Sequence, residues 1–283
     1  MNLTIISNPQ SGYNRRKGME KFTALAVNAG VPHVNATTSD EMAQALQTLS
    51  KHAPEVLAIN GGDGSVDMAI TLMRNQNIFK KEPALVLFKG GTTNLIHRNV
   101  GLRGAPHKAL KDMLNTNMKT EKLCPLEIRR VGQKDAPLYG FFVGTGAIPR
   151  VTLKTRETLH RQGFSGPLSE SFMLAKVLLR LKYRHDLSAD DLLKPSPVIC
   201  NNHQNDYIFL ALTSLKKLLP GIASPVTDSR AGMIYMNNDR KFKRESIDQM
   251  TIEVQEPWVL DGETQAPGNI EIRLGEPVRF LVV

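Results

Sequence analysis

Ile59-Asn60-Gly61-Gly62-Asp63-Gly64-Ser65 is the stretch on which the reading of this chain turns. The apolar run 56–59 leads into it as a buried strand does, and Val66, Ile70 and Met73 leave it at helical spacing, so it is a strand-to-helix turn. Gly61, Gly62 and Gly64 carry no Cβ, which lets the turn close tightly and lets a ligand reach the bare backbone. Amides at the start of the following helix then face an anion. Asp63 repels phosphates unless a divalent cation, typically Mg²⁺, sits between, so the turn suits a metal-nucleotide. A plain structural turn is the competing reading, because glycine-rich strand-to-helix connections are common. No Lys-Ser or Lys-Thr pair follows the last glycine, which excludes a P-loop, and no G-x-G-x-x-G pattern supports a dinucleotide fold.

Outward from this turn the first half alternates strands with helices. Residues 3–6 form an apolar strand that ends in Ser7-Asn8-Pro9-Gln10-Ser11-Gly12, a cluster of turn formers. A helix is expected from Arg15-Arg16-Lys17 through Ala29, then a strand at 33–36. Thr38 and Glu41 have capping-box spacing ahead of a helix with Met42, Ala45, Leu46 and Leu49 on one face. Residues 84–88 give a fourth strand, running into Lys89-Gly90-Gly91-Thr92-Thr93-Asn94. Such alternation implies a parallel sheet, and ligands bind at the carboxyl ends of its strands. The loops after strands one, three and four all fall at that end, which makes a shared nucleotide cleft the economical explanation.

From about residue 121 the texture changes. Strand-like runs at 126–131, 138–144, 198–201, 207–213, 233–236, 250–254, 270–274 and 278–283 read as an antiparallel sheet or sandwich, interrupted by one helix at 169–183. Two domains are expected, 1–122 and 123–283. Asp261-Gly262, between apolar runs, is first of all a hairpin turn.

Bulk properties narrow the partners. The formal charge of +9 suits an anion such as a nucleotide, a phospholipid surface or a nucleic acid. Residues 150–185 concentrate the excess: Arg150, Lys154, Arg156, Arg161, Lys176, Arg180, Lys182 and Arg184 stand against Glu157 and Glu170. Only 6% of residues are aromatic and no recognition motif appears, which sets nucleic acid aside. Cys124 and Cys200 lack metal spacing and read as free thiols of a reducing compartment. With no apolar run near the ~20 residues a membrane span needs, and no leader pattern at the start, a cytoplasmic protein is expected.

The motifs Asn8-Pro9-Gln10-Ser11-Gly12, Gly61-Gly62-Asp63-Gly64-Ser65, Gly91-Thr92-Thr93-Asn94 and Asp261-Gly262-Glu263 resemble, in order and rough spacing, the diacylglycerol kinase catalytic-domain family, which includes bacterial lipid kinases and the sphingosine and ceramide kinases. The resemblance implies an ATP-dependent kinase acting on a lipid hydroxyl. It implies a phosphofructokinase-like α/β nucleotide-binding domain followed by a β-sandwich lipid-acceptor domain, with a cleft between. Family members often return their C-terminal strand to the first domain, which makes 278–283 a candidate to join it. Carried over by motif, Asn8, Ser11, Gly12 and Thr38 lie near the nucleotide. Gly62, Asp63, Gly64 and Ser65 hold phosphates, with Asp63 on Mg²⁺. Thr92 and Asn94 complete the pocket, Asp261 is the general base and Glu263 assists it.

Phosphoryl transfer needs positioning and charge neutralisation more than a nucleophile, which accords with glycine loops and with the lack of any nucleophile motif. A lipid hydroxyl has a high pKa, so a carboxylate must take its proton as the P–O bond forms. The chain departs from the family at Met68, where a Glu is usual, at Leu95, where an acid is usual, and at Arg230-Ala231-Gly232, where many bacterial members carry Asp-Asp-Gly near a structural metal. Two alternatives stay open: a nucleotide-binding regulator with little kinase activity, and an NAD-kinase-like or phosphofructokinase-like enzyme on a small soluble substrate. Residues 136–156 contain no Asp or Glu to greet a sphingoid amine, which favours a neutral or anionic lipid such as diacylglycerol. Peripheral contact with an anionic membrane surface is expected from the basic segment, and a homodimer stays open.

Overall fold

The computed structural model describes residues 2–91, 94–161, 191–218 and 224–283. It divides into two compact units, one of residues 1–123 with 276–283 and one of residues 124–275.

In the first unit β1 (Leu3–Ser7), β2 (His33–Asn35), β3 (Val56–Gly61) and β4 (Ala84–Lys89) pair in parallel in the order β2-β1-β3-β4. β1, β3 and β4 are buried along almost their whole length, as the continuous apolar runs of a sheet covered on both faces should be. β17 (Val278–Val282) lies beyond β4, parallel to it, and β5 (Lys119–Leu123) pairs antiparallel with β17 at the edge. Phe22 and Ala26 of α2 (Glu20–Asn28) and Ala109, Leu110 and Met113 of α6 (Pro106–Asn115) close one core with Leu3, Ile5, Ala58, Val86 and Phe88. Alternate strand residues such as Ile6, Leu57, Ile59 and Leu87 point the opposite way. α3 (Ser39–Ser50) and α4 (Asp63–Asn75) pack together, burying Leu46, Leu49, Val66 and Ile70. Each large side chain so buried contributes roughly 1.5–3 kcal/mol.

The single helix expected from 15 to 29 is instead two, α1 (Gly12–Lys17) and α2. Gly18, at φ 72°, makes the break, since a left-handed residue cannot continue a helix and glycine takes that conformation without a Cβ penalty. The Thr38 capping box is present as the spacing predicts: Thr38 Oγ1 accepts from the Glu41 amide at 3.2 Å, and Glu41 Oε2 accepts from the Thr38 amide at 3.2 Å.

The second unit is antiparallel. Its long strand β10 (His203–Thr213) pairs through residues 203–207 with β9 (Ser196–Cys200) and through 209–213 with β8 (Phe142–Gly146). β10 therefore joins two ladders. One runs β15 (Glu263–Gln265), β14 (Trp258–Leu260), β8, β10, β11 (Ala231–Asn237), β12 (Phe242–Ile247). The other runs β10, β9, β13 (Gln249–Val254), β16 (Gly268–Leu274), β6 (Leu126–Arg130), β7 (Leu138–Gly140). Leu210, Leu212, Met233 and Trp258 of the first share one core with Ile128, Val198, Ile252 and Ile272 of the second, the arrangement of a sandwich whose layers exchange a strand.

The strand expected at 138–144 is two strands, β7 and β8, interrupted at Phe141. A fifteen-residue helix, α7 (Ala147–Arg161), follows where none was expected. Pro149 reads as a breaker in sequence but falls in the first turn, where its missing amide has no partner to lose. The expected helix at 169–183, and the basic side chains from 155 to 185, lie outside the described residues. Cys124 and Cys200 are both free thiols, and among the described residues no helix is long and apolar enough to cross a membrane.

Candidate functional site

Three loops at the carboxyl ends of β1, β3 and β4 are stitched into one network. Ser11 Oγ accepts from the Gly62 amide at 3.2 Å, and Asn8 Nδ2 donates to Ser65 Oγ at 3.1 Å. The Gly90 amide donates to the Gly61 carbonyl at 3.2 Å, while the Gly90 carbonyl accepts from the Tyr13 amide at 2.9 Å and the Asn14 amide at 3.2 Å. Asn94, left-handed at φ 51°, exchanges two bonds with Gly91: Oδ1 accepts from the Gly91 amide at 3.1 Å and Nδ2 donates to its carbonyl at 2.8 Å. Asparagine tolerates that backbone better than most residues.

The glycines are needed by this packing. A Cβ on Gly91 would stand 2.4 Å from Gly62 Cα, and one on Gly90 would stand 2.6 Å from the Gly61 nitrogen. The second and third loops thus meet backbone to backbone, a packing that leaves no room for a side chain at either position. Gly62 precedes α4 and Gly64 lies in its first turn, so the N-terminus of a thirteen-residue helix opens on glycine on either side of Asp63.

Asp63 itself departs from its expected place. Its Oδ2 accepts from the Leu95 amide at 2.8 Å and its Oδ1 from the Ile96 amide at 3.1 Å, both at the start of α5 (Leu95–Val100). The residue is 8% exposed. Burial pushes its pKa up to about 6, against the pull of the two amides and of Arg98. A carboxylate buried this far, with each oxygen already accepting an amide, does not fit a direct Mg²⁺ ligand. Among the described residues no group of three or more His, Cys, Asp or Glu could hold a metal. At Arg230, where many relatives have an acid, the guanidinium instead makes two 2.9 Å bonds to Asp248. Among the described residues the donor set therefore does not support a protein-held metal.

Of the remaining expected residues, Gly12 opens α1, and Thr38 is exposed and caps α3. Among the described residues no hydrogen bond ties Thr38 to the glycine loops, although its loop follows β2, the neighbour of β1, at the same end of the sheet. Thr92 lies outside the described residues. Sequence reasoning missed Asn14 as a member of this network. Asn14 Nδ2 donates to the Asn8 carbonyl at 2.9 Å and the Asn60 carbonyl at 3.0 Å, and the residue is buried. The signal for Asn60 was an amide at the end of an apolar strand, where burial demands partners. Its Nδ2 donates to Ser7 Oγ at 3.3 Å.

In the second unit Asp261 and Gly262 form the two-residue turn between β14 and β15, at φ 46° and 97°. Positive φ at both positions is the hairpin geometry that Asp-Gly serves. Asp261 Oδ2 accepts from the Phe141 amide at 2.5 Å, and the Asp261 amide donates to the Phe142 carbonyl at 2.9 Å. The break between β7 and β8 is thus the place where the strand turns its amide to this carboxylate. A Cβ on Gly140 would stand 2.5 Å from Asp261 Oδ2, so glycine keeps that approach open. Trp258, fully buried, anchors the hairpin by donating from Nε1 to the Ala266 carbonyl at 2.9 Å. Glu263 begins β15 and is exposed.

Residues 2–126 match the family model of the diacylglycerol kinase catalytic domain. No curated protein matches the chain. Among solved structures, one described as "a putative diacylglycerol kinase from Bacillus anthracis str. Sterne" superposes with a TM-score of 0.70 at 15% identity, over 99% of this chain and 94% of that one. A second of that description gives 0.68 at 14% identity, over 100% and 97%. A structure of a diacylglycerol kinase from the same organism gives 0.61 at 14%, over 99% and 96%. At such identities these likenesses speak for the fold: an α/β unit with a parallel sheet and a separate antiparallel β unit. The three glycine-bearing loops of the first unit fall inside the matched stretch, and it is to the diacylglycerol kinase catalytic domain that residues 2–126 are similar.

Proposed function

We propose that the protein is an ATP-dependent lipid kinase that transfers the γ-phosphoryl group to a lipid hydroxyl, with diacylglycerol or another glycerolipid as acceptor. The observation that carries this reading is the three-loop network within the stretch that matches the family. ATP is bound by the first unit, its phosphates at the N-terminus of α4, where Gly62 and Gly64 let them approach and Asn8, Ser11, Ser65, Thr92 and Asn94 surround them. Gly12 and Thr38 line the nucleotide further out. In the transfer the acceptor oxygen bonds to the γ-phosphorus as the bond to the β–γ bridging oxygen breaks and ADP leaves. The hydroxyl proton passes to the Asp261 carboxylate, with Glu263 assisting. Mg²⁺ arrives with the nucleotide. Peripheral contact with anionic bilayers from the cytoplasmic side, drawing on the +9 charge, belongs to the same reading.

A second reading, a nucleotide-binding regulator with little turnover, draws support from Met68 and from an Asp63 already committed to α5. Radiolabelled ATP incubated with the protein and a panel of extracted lipids separates the two. Labelled phosphatidic acid, or another phosphorylated glycerolipid, is the expected product. ATP binding with no labelled lipid favours the regulator, and label appearing only in water-soluble acceptors overturns the lipid assignment.

A further inference from the structure

The conflict between what Asp63 offers in sequence and what it does in the fold has a consequence for the nucleotide site. Loop 90–95 is held at both ends. At its start, Gly90 bonds to Gly61, and Gly91 lies so close to Gly62 that no side chain fits between them. At its end, the two Asp63 oxygens take the Leu95 and Ile96 amides at 2.8 and 3.1 Å. In between, Asn94 closes the loop on Gly91 through two bonds of its own. Gly91 and Leu95 are thus both fixed to the same neighbouring turn.

Amides at a helix start attract negative charge, and a carboxylate accepting from two of them makes stronger bonds than a neutral acceptor would. We infer that Asp63 is a positioning residue, whose carboxylate fixes the start of α5 against the Gly61–Ser65 turn, and that it does not ligate the metal that accompanies ATP. This rests on the nucleotide reading above for its functional meaning, and on the two amide bonds for its physical basis. A ligand role would need a carboxylate open to solvent and to the phosphates. Here it faces the backbone of α5.

The two roles give opposite results when metal is withheld. A metal ligand matters only with Mg²⁺ present, and its removal leaves metal-free ATP binding unchanged or improved, because one negative charge near the phosphates is gone. A positioning residue matters equally in both conditions. Calorimetric titration of ATP into wild type, Asp63→Asn and Asp63→Ala, once with Mg²⁺ and once with EDTA, reads the difference. Asp63→Ala is expected to weaken ATP by about tenfold or more in both series, as the loss of hydrogen bonds to a charged group suggests. Asp63→Asn, which keeps one acceptor, should lose less, again equally in both. A loss confined to the Mg²⁺ series overturns the inference, and so does no loss in either.

Amide hydrogen exchange gives a second readout independent of nucleotide. Leu95 and Ile96 should lose protection by about tenfold in Asp63→Ala while the β3 and β4 amides keep theirs. Unchanged protection at both positions overturns the clamp. If Asp63→Ala does not fold, Asp63→Asn carries both measurements. If wild type binds no ATP under either condition, the kinase reading fails, and exchange at Leu95 and Ile96 alone then decides whether Asp63 holds the loop.

Discussion

Asp63 in the glycine-loop network of the first unit and Asp261 in the Asp-Gly-Glu hairpin of the second are held differently. Asp63 accepts two amides from a helix start, is buried, and sits where three loops converge. Asp261 accepts from the Phe141 amide, at the tip of a two-residue turn near one margin of its ladder. The first carboxylate is part of the scaffold, so altering it disturbs the neighbourhood as well as the charge. The second is held by a turn that Asp, Asn and Gly all accept, so its charge can be changed with the hairpin intact.

The sharpest way to break the contrast is Asp261→Asn. Loss of a general base is expected to lower turnover on the lipid acceptor by about a thousandfold. ATP affinity should stay within about threefold and stability within ~1 kcal/mol, since Asn keeps an acceptor for Phe141 and tolerates φ 46°. Assays of lipid phosphorylation beside calorimetric ATP titrations test this, and unchanged turnover removes Asp261 as the base.

A second comparison uses pH. The Asp63 carboxyl is raised to about 6 in the folded chain, above its ordinary value of 3.8 when unfolded. Between those values the folded state holds more protons than the unfolded one. This group's contribution is therefore most favourable below about pH 4, declines as pH rises to about 6, and is constant above. The decline amounts to about 3 kcal/mol. Denaturant unfolding across that range should show the slope in wild type, and Asp63→Asn, which cannot ionise, should differ from it by that decline. Parallel curves for the two proteins would mean the carboxylate is not desolvated.

The smallest effects compare two glycines. Gly91→Ala places a methyl 2.4 Å from Gly62 Cα, backbone that cannot swing aside, and should cost about 2–3 kcal/mol in thermal or denaturant unfolding while weakening ATP. Gly262→Ala meets nothing within 4 Å and bears only the strain of φ 97°, about 1 kcal/mol, with ATP affinity untouched. Equal losses at the two sites would erase the distinction between a packed and an open turn.

Much of the architecture could be read from residue pattern. The inner strands were legible because a sheet covered on both faces demands unbroken apolar runs, and the Thr38 cap because its partner lies only three positions away. The orientation of Asp63 was not legible: its donors belong to a helix 32 residues downstream, brought near by contact between Gly62 and Gly91. α5 is six residues long, too short for a periodic pattern, and its N-cap sits beside the glycine cluster that draws the eye to a loop. α7 escaped because its sequence is largely polar and contains Pro149. β12 escaped because Lys243, Arg244 and Glu245 interrupt any alternation, as charged edge strands do. Asn14 was overlooked since its partners are backbone carbonyls, which no side-chain pattern announces.

The place of β17 in the first sheet bears on how the protein reaches its native state. Residues 278–282 follow the entire second unit in the chain yet lie between β4 and β5, with Val278 and Phe280 wholly enclosed. On the ribosome, the first unit can acquire its helices and inner strands early, but it must wait for some 150 intervening residues before its sheet is joined across to β5. A fragment cut to residues 2–126 would bring β4 to a raw hydrophobic margin, a surface prone to sticking to its own copies.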